Sequence, residues 1–243
     1  MRNNLVDIVK NTHGLGVIEL VKIVGSADET LVEALSEDRS VIVKAKFNNP
    51  IPEFIGTFGM PNLNKLNTIL KIQEYAEAAK ITLSTRNKDG VSMPAGLHFE
   101  NAAGDFENDY RFMTQEQVTE KLRSVKFKGV KWSVEFSPTA ANITRFKAQS
   151  SANSEETTFI AKTDGTDLRF FFGDDSTHAG NFVFQSGITG SLTKGWTWPV
   201  SAFLSILNLA GDKTVRISDE GAAQITVDTG LATYEYILPA QGK

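Results

Sequence analysis

GWTWPVSAFLSILNLAGDKTVRISDEGAAQITVDTGLATYEYILPA, residues 195–240, is the stretch whose reading decides the fold. Its first part places a helix over 199–210, where Phe203, Leu204, Ile206, Leu207 and Leu209 form a broad apolar stripe between Pro199 and Gly211. Proline at the first turn and glycine just past the end are the usual punctuation of a helix. Three segments then alternate apolar and polar residues: 213–218 (KTVRIS), 223–228 (AQITVD) and 233–238 (TYEYIL). A period of two sends alternate side chains to opposite faces, so three half-buried strands follow the helix.

The same order occurs upstream. Pro61 opens a helix carrying Leu63, Leu66, Ile69 and Leu70, and alternating runs follow at 81–83, 97–99 and 110–112, with Tyr110 where Tyr234 stands. A displacement of 138 residues sets Pro61 on Pro199, and it also sets Leu5 and Ile8 of a first helix (3–11) on Ile143 and Phe146 of a third. A repeat of order with little identity indicates two similar domains. Segments 17–24, 30–35, 41–47 and 54–58 read as strands of the first, and 132–136, 157–162, 167–172, 182–185 and 194–198 as strands of the second. Residues 115–130 hold few turn formers and a surplus of lysine. They read as a connector over the outer surface, or else as a short amphipathic helix with Val118, Leu122 and Val125 in register. The expected organisation is a domain over 1–115, a connector over 116–130 and a domain over 131–243.

Composition bounds the function. A chain of 243 residues, 41% hydrophobic and 22% charged, has material for two ordinary cores. No apolar run reaches the ~18 residues that span a membrane. The N-terminus enters a helical pattern directly, without a signal-peptide stretch, and there is no cysteine; a cytoplasmic protein, in the host cell if viral, is the expectation. Formal charge is −4, divided as −3 over 1–115, +3 over 116–131 and −4 over 132–243. An acidic chain is a poor candidate for simple electrostatic capture of DNA, though it can present a local basic surface.

Catalytic chemistry is hard to find. His13, His98 and His178 are scattered, with no partner at metal-ligand or catalytic spacing. The one carboxylate cluster, GDDSTH at 173–178, offers Asp174, Asp175 and His178 to a metal-dependent hydrolase, but such a run between strands reads better as a solvated turn. Phosphate-loop, nucleophile-elbow and zinc patterns are missing, so no enzyme, metal or cofactor is expected. The more telling residues are basic ones on helices whose apolar faces must cover sheets: Lys10, Lys65, Lys71, Arg145 and Lys147. A solvated helix face explains any one of them alone.

YRFM at 110–113, the lysine-rich connector, WSVEF at 132–136, then Ser137-Pro138 and Ile143-Thr144-Arg145-Phe146-Lys147 resemble the domain crossover of DNA sliding clamps. GNFVFQS at 180–186, the Pro199 helix and the closing YEYILPA resemble the same family, whose members closest in plan are proliferating cell nuclear antigen and the clamps of T-even-type bacteriophages. The resemblance implies an α+β DNA-clamp fold: two similar domains, each with antiparallel sheets outside and two helices on the inner face. It implies a homotrimeric ring that encircles double-stranded DNA without reading sequence, tethers a DNA polymerase as a processivity factor and is opened by a clamp loader ATPase. Lys10, Lys65, Lys71, Arg145 and Lys147 would then face DNA. Val125, Lys126, Phe127, Leu238, Pro239 and Ala240 would form the partner pocket. The subunit joint would run between Tyr110, Phe112 and Met113 of one copy and Phe182, Val183 and Phe184 of the next. The competing expectation is a β-rich structural or adaptor protein, such as a virion component, that encircles nothing.

Overall fold

The computed structural model describes residues 1–76, 78–88, 90–123, 127–174, 176 and 178–241. The chain divides into two compact units, Met1–Val125 with Thr229–Tyr234, and Lys126–Asp228 with Glu235–Lys243.

The first unit runs α1 (Arg2–Asn11), β1 (Leu20–Gly25), β2 (Thr30–Leu35), β3 (Ile42–Phe47), β4 (Gly56–Pro61), α2 (Leu63–Leu70), β5 (Lys80–Lys88), β6 (Val91–Glu100), β7 (Glu107–Arg111) and α3 (Gln115–Lys121). Strand order is β4-β1-β2-β3, continued beside β3 by the first residues of β15 (Ala232–Pro239). A second sheet has the order β5-β6-β7. Alternation does the sorting: β2 buries Thr30, Val32 and Ala34 and turns the residues between them outward. Leu5 and Ile8 of α1 and Leu63 and Leu66 of α2 join Val21, Ile23, Val32 and Val43 in a largely aliphatic core.

The second unit runs β8 (Val134–Phe136), α4 (Ala140–Ala152), β9 (Thr158–Asp164), β10 (Asp167–Phe172), β11 (Gly180–Gln185), β12 (Thr197–Pro199), α5 (Val200–Leu207), β13 (Asp212–Ser218), β14 (Ala222–Asp228) and the rest of β15. Its strand orders are β15-β14-β13-β8 and β11-β10-β9-β12. The core is aromatic. The Phe146 ring lies 5.0 Å from Phe159 and 5.2 Å from Phe170, with Phe172, Phe182, Phe184 and Phe203 out to 6.3 Å.

Several boundaries differ from the sequence reading. Pro61 and Pro199 each end a strand instead of opening a helix. α5 starts directly after Pro199, whereas α2 starts one residue later because Asn62, at φ 52°, intervenes as its N-cap. The displacement of 138 therefore aligns the prolines, while the buried stripes Leu66, Ile69, Leu70 and Phe203, Ile206, Leu207 align at 137. α5 stops at Leu207, short of 210, and β1 begins at Leu20 because a 3-10 turn, His13–Leu15, intervenes after α1. The start of the connector is helical: Thr114 and Gln117 form a reciprocal capping box and Val118 is buried. Gly59 of β4 leaves the room for it, since a Cβ there would stand 2.7 Å from Val118 Cγ2.

Candidate nucleic-acid interface

Each basic helix residue singled out in the sequence is exposed; α1 and α2 each bury a stripe, whereas α4 buries a single residue. Lys10 lies in the last turn of α1 and Lys71 caps the C-terminus of α2. Both therefore also complement a helix dipole, a stabilising role that needs no ligand. Between these helix ends lies a groove of about 540 Å³ with Arg2, Lys10, His13 and Lys71 on its walls and Val6, Val9 and Leu70 at its base. Arg2 carries no sequence signal of its role. Its Nη2 donates to the Leu70 carbonyl at 2.9 Å, a contact across 68 residues that no local pattern announces. His13 Nδ1 stands 2.6 Å from Glu19 Oε1, so a carboxylate already faces that imidazole.

On α4, Arg145 and Lys147 flank Phe146, the one residue that this helix buries. The guanidinium carbon of Arg145 is 5.6 Å from the Phe182 ring centroid, a cation–π distance that holds the side chain against β11. α5 (VSAFLSIL) carries no charge, so the basic set resides on α1, α2 and α4. Beneath the exposed face of α1 is an acid. Asp7 is buried and its Oδ2 accepts from the Tyr234 hydroxyl at 2.8 Å. Burial raises its carboxyl above the ordinary range, ahead of the opposing pull of hydrogen bonds from Tyr234 and Thr229 and of the Lys10 charge.

The segments expected at a joint lie at sheet edges, for β7 and β11 each end their strand order. Their aromatic side chains, however, do not cover the edges. Tyr110 is buried and its hydroxyl donates to the Pro61 carbonyl; burial, with the Glu19 charge, lifts that hydroxyl far above the usual phenol range. Phe112 is half-buried, stacked on Phe58 at 4.4 Å, and Met113 exchanges both backbone hydrogen bonds with Gly59, at 2.8 and 3.1 Å. Phe182 and Phe184 turn inward, where period-two alternation places them, and Val183 turns outward. What these edges offer a neighbour is backbone.

Of the expected partner pocket, Val125 and Lys126 lie outside the described residues. Phe127 is half-buried with its ring 6.2 Å from Trp132. Leu238 is fully buried, Pro239 is exposed, and the Ala240 N–H donates to the Gly221 carbonyl. In the carboxylate run, Asp174 Oδ1 accepts from Ser176 N at 2.8 Å and Ser176 Oγ at 2.6 Å; Asp175 lies outside the described residues. Among the described residues, no three His, Asp or Glu side chains are grouped to hold a metal, and no helix is long and apolar enough to cross a membrane.

Together these sheets and helices define an α+β DNA-clamp fold. The chain superposes on PCNA in the structure of the C-terminal region of FEN-1 bound to A. fulgidus PCNA, with a TM-score of 0.69, 13% identity, and coverage of 100% of this chain and 96% of that one. For PCNA from Thermococcus kodakaraensis the TM-score is 0.67 at 12% identity, covering 99% and 97%. No protein-family profile matches the sequence, and no curated protein matches it. The likeness is one of fold.

Proposed function

We propose that this chain is the subunit of a ring-shaped sliding clamp, a homotrimer that encircles duplex DNA and tethers a replicative polymerase, after opening by an ATP-driven loader. It carries out no chemistry itself, and it works wherever the DNA is copied, in the host cytoplasm if the source is a bacteriophage. The observation that carries this reading is the exposure of Lys10, Lys65, Lys71, Arg145 and Lys147 on core-facing helices of a clamp fold whose net charge is −4. Retention by topology frees such a protein from needing strong DNA affinity. A few cations then supply weak phosphate contacts without sequence reading, as sliding requires. Client peptides would dock near Phe127, Pro239 and Ala240.

The joint would pair β7 of one copy with β11 of the next, two different edges that propagate head to tail and close after three subunits. Light scattering on purified protein tests this reading: a mass of three chains is expected, and a monomer at every concentration rules the ring out. Proline at Val183 removes a strand donor from the β11 edge and is expected to leave folded monomers. Reversing all five cations together should leave the trimer intact and flatten the salt dependence of equilibrium binding to open-ended DNA, by about 0.9 in log–log slope for every phosphate that is no longer neutralised.

A further inference from the structure

One polar stripe of α4 lies along an edge strand. Asn142, Arg145, Gln149 and Asn153 recur at the spacing of a single helix face, and each meets β11. At one end, a Cβ on Gly180 would stand 2.4 Å from Gln149 Nε2 and 2.8 Å from Asn153 Nδ2, so the start of the strand is pressed against the helix. In the middle, Arg145 lies over the Phe182 ring. At the other end, Asn142 Nδ2 donates to the Phe184 carbonyl.

Phe184 is a special residue in that strand. The β10–β11 register passes from Arg169↔Val183 to Leu168↔Gln185, which leaves Phe184 as the extra residue of a β-bulge. A bulged residue has no place in the ladder, and an unpaired buried carbonyl is costly. Asn142 supplies the missing donor. Its orientation is fixed from the other side, since Asn142 Oδ1 accepts from Thr139 N at 2.9 Å in the capping box of α4. One amide thus caps the helix with its oxygen and holds the bulge with its nitrogen.

We infer that Asn142 is a positioning residue for the subunit joint. By claiming the Phe184 carbonyl for α4 it fixes where the bulge sits, and so limits the open edge to Gly180–Val183 and sets the register at which another copy's strand can add. This rests on the clamp reading and adds to it. The helix that carries Arg145 and Lys147 would hold the joint strand in place, tying the DNA-facing side of the second unit to ring closure.

Asn142→Asp separates the two roles. A carboxylate still accepts from Thr139 and suits a helix N-terminus, but it cannot donate to Phe184. Measured by light scattering over a dilution series, N142D is expected to raise the midpoint concentration for trimer dissociation at least tenfold. Its thermal midpoint as a dilute monomer should fall by only a few degrees, the effect of one lost hydrogen bond. An unchanged dissociation midpoint overturns the inference, and so does a loss of trimer no larger than the monomer's own unfolding explains, which marks Asn142 as merely structural. A wild-type chain that never trimerises removes the clamp reading beneath it, an outcome visible before any variant is made.

Discussion

α1 and α4 hold corresponding places in the two units, yet they are attached by different physics. Ten residues of α1 bury five, Leu5, Asp7, Ile8, Val9 and Asn11, whereas thirteen residues of α4 bury Phe146 alone. The displacement of 138 that sets Ile8 on Phe146 also sets Asp7 on Arg145, a buried acid opposite an exposed base. In the first unit the helix is held by an aliphatic stripe and a buried Asp7–Tyr234 hydrogen bond. In the second it is held by one ring inside an aromatic cage and by polar contacts to an edge strand. A layer plan can therefore persist after its core chemistry has been exchanged, provided that each helix keeps an apolar anchor facing the sheet.

The sharpest way to break the comparison is to remove each anchor. Phe146→Ala deletes the hub of the aromatic cage and should destabilise the second unit by about 3–5 kcal/mol; Leu5→Ala should cost the first unit about 2–5 kcal/mol. All three tryptophans, Trp132, Trp196 and Trp198, belong to the second unit. Urea unfolding followed by tryptophan fluorescence should thus shift strongly for F146A. If F146A leaves that transition in place, the cage is not what holds α4.

A smaller effect is expected where the first unit carries a helix that the second lacks. Gly59→Ala would press a methyl to 2.7 Å from Val118 Cγ2 and 3.1 Å from Met113 Cβ, and overpacking of this kind costs about 1–3 kcal/mol. Combining G59A with Val118→Ala should recover part of that loss, so a double-mutant cycle reads the contact directly. Additive losses would mean that α3 does not seat on β4.

The mildest test concerns Asp7. Its carboxyl is raised in the folded chain, so the native state binds that proton more tightly than the unfolded chain does. The group therefore detracts from stability as pH climbs from the ordinary carboxylate range through the raised value, and the penalty is fully present at neutral pH. Asp7→Asn keeps an acceptor for Tyr234 and should be at least as stable as wild type at pH 7, with the gain vanishing once the pH falls below the ordinary carboxylate range. A D7N chain less stable at neutral pH than in acid, relative to wild type, would show that the ionised carboxylate is wanted there.

Much of the fold is legible in the sequence because it depends on period and punctuation. β2 and β10 match the alternating segments residue for residue, and α1 falls within one residue of its expected start. The misses have local causes. Pro61 and Pro199 fit a strand end as well as a first helical turn; Asn62 in αL separates Pro61 from α2, whereas Pro199 is itself extended, at φ −68° and ψ 122°. Thr114 and Gln117 carry a capping box, but surplus lysine in the segment points toward an exposed connector. Site residues are legible as types and illegible as partners. Exposure of the five cations follows from helix patterning; the pairing of Arg2 with Leu70, of Asp7 with Tyr234 and of Asn142 with Phe184 spans 68, 227 and 42 residues. The apolar run at 182–184 is marked as a joint only through the family resemblance, while alternation alone turns two of its three side chains inward.

The claim that the protein encircles DNA is tested most directly by threading it onto a linear duplex and then closing the ends. Protein at high concentration is mixed with end-biotinylated DNA, the ends are capped with streptavidin, and the complex is washed in high salt. Retention is expected only when capping follows threading, and a single restriction cut inside the duplex should release the protein at once. Equal retention on DNA capped beforehand, or retention that survives the cut, would mean that the protein grips DNA by contact and does not surround it.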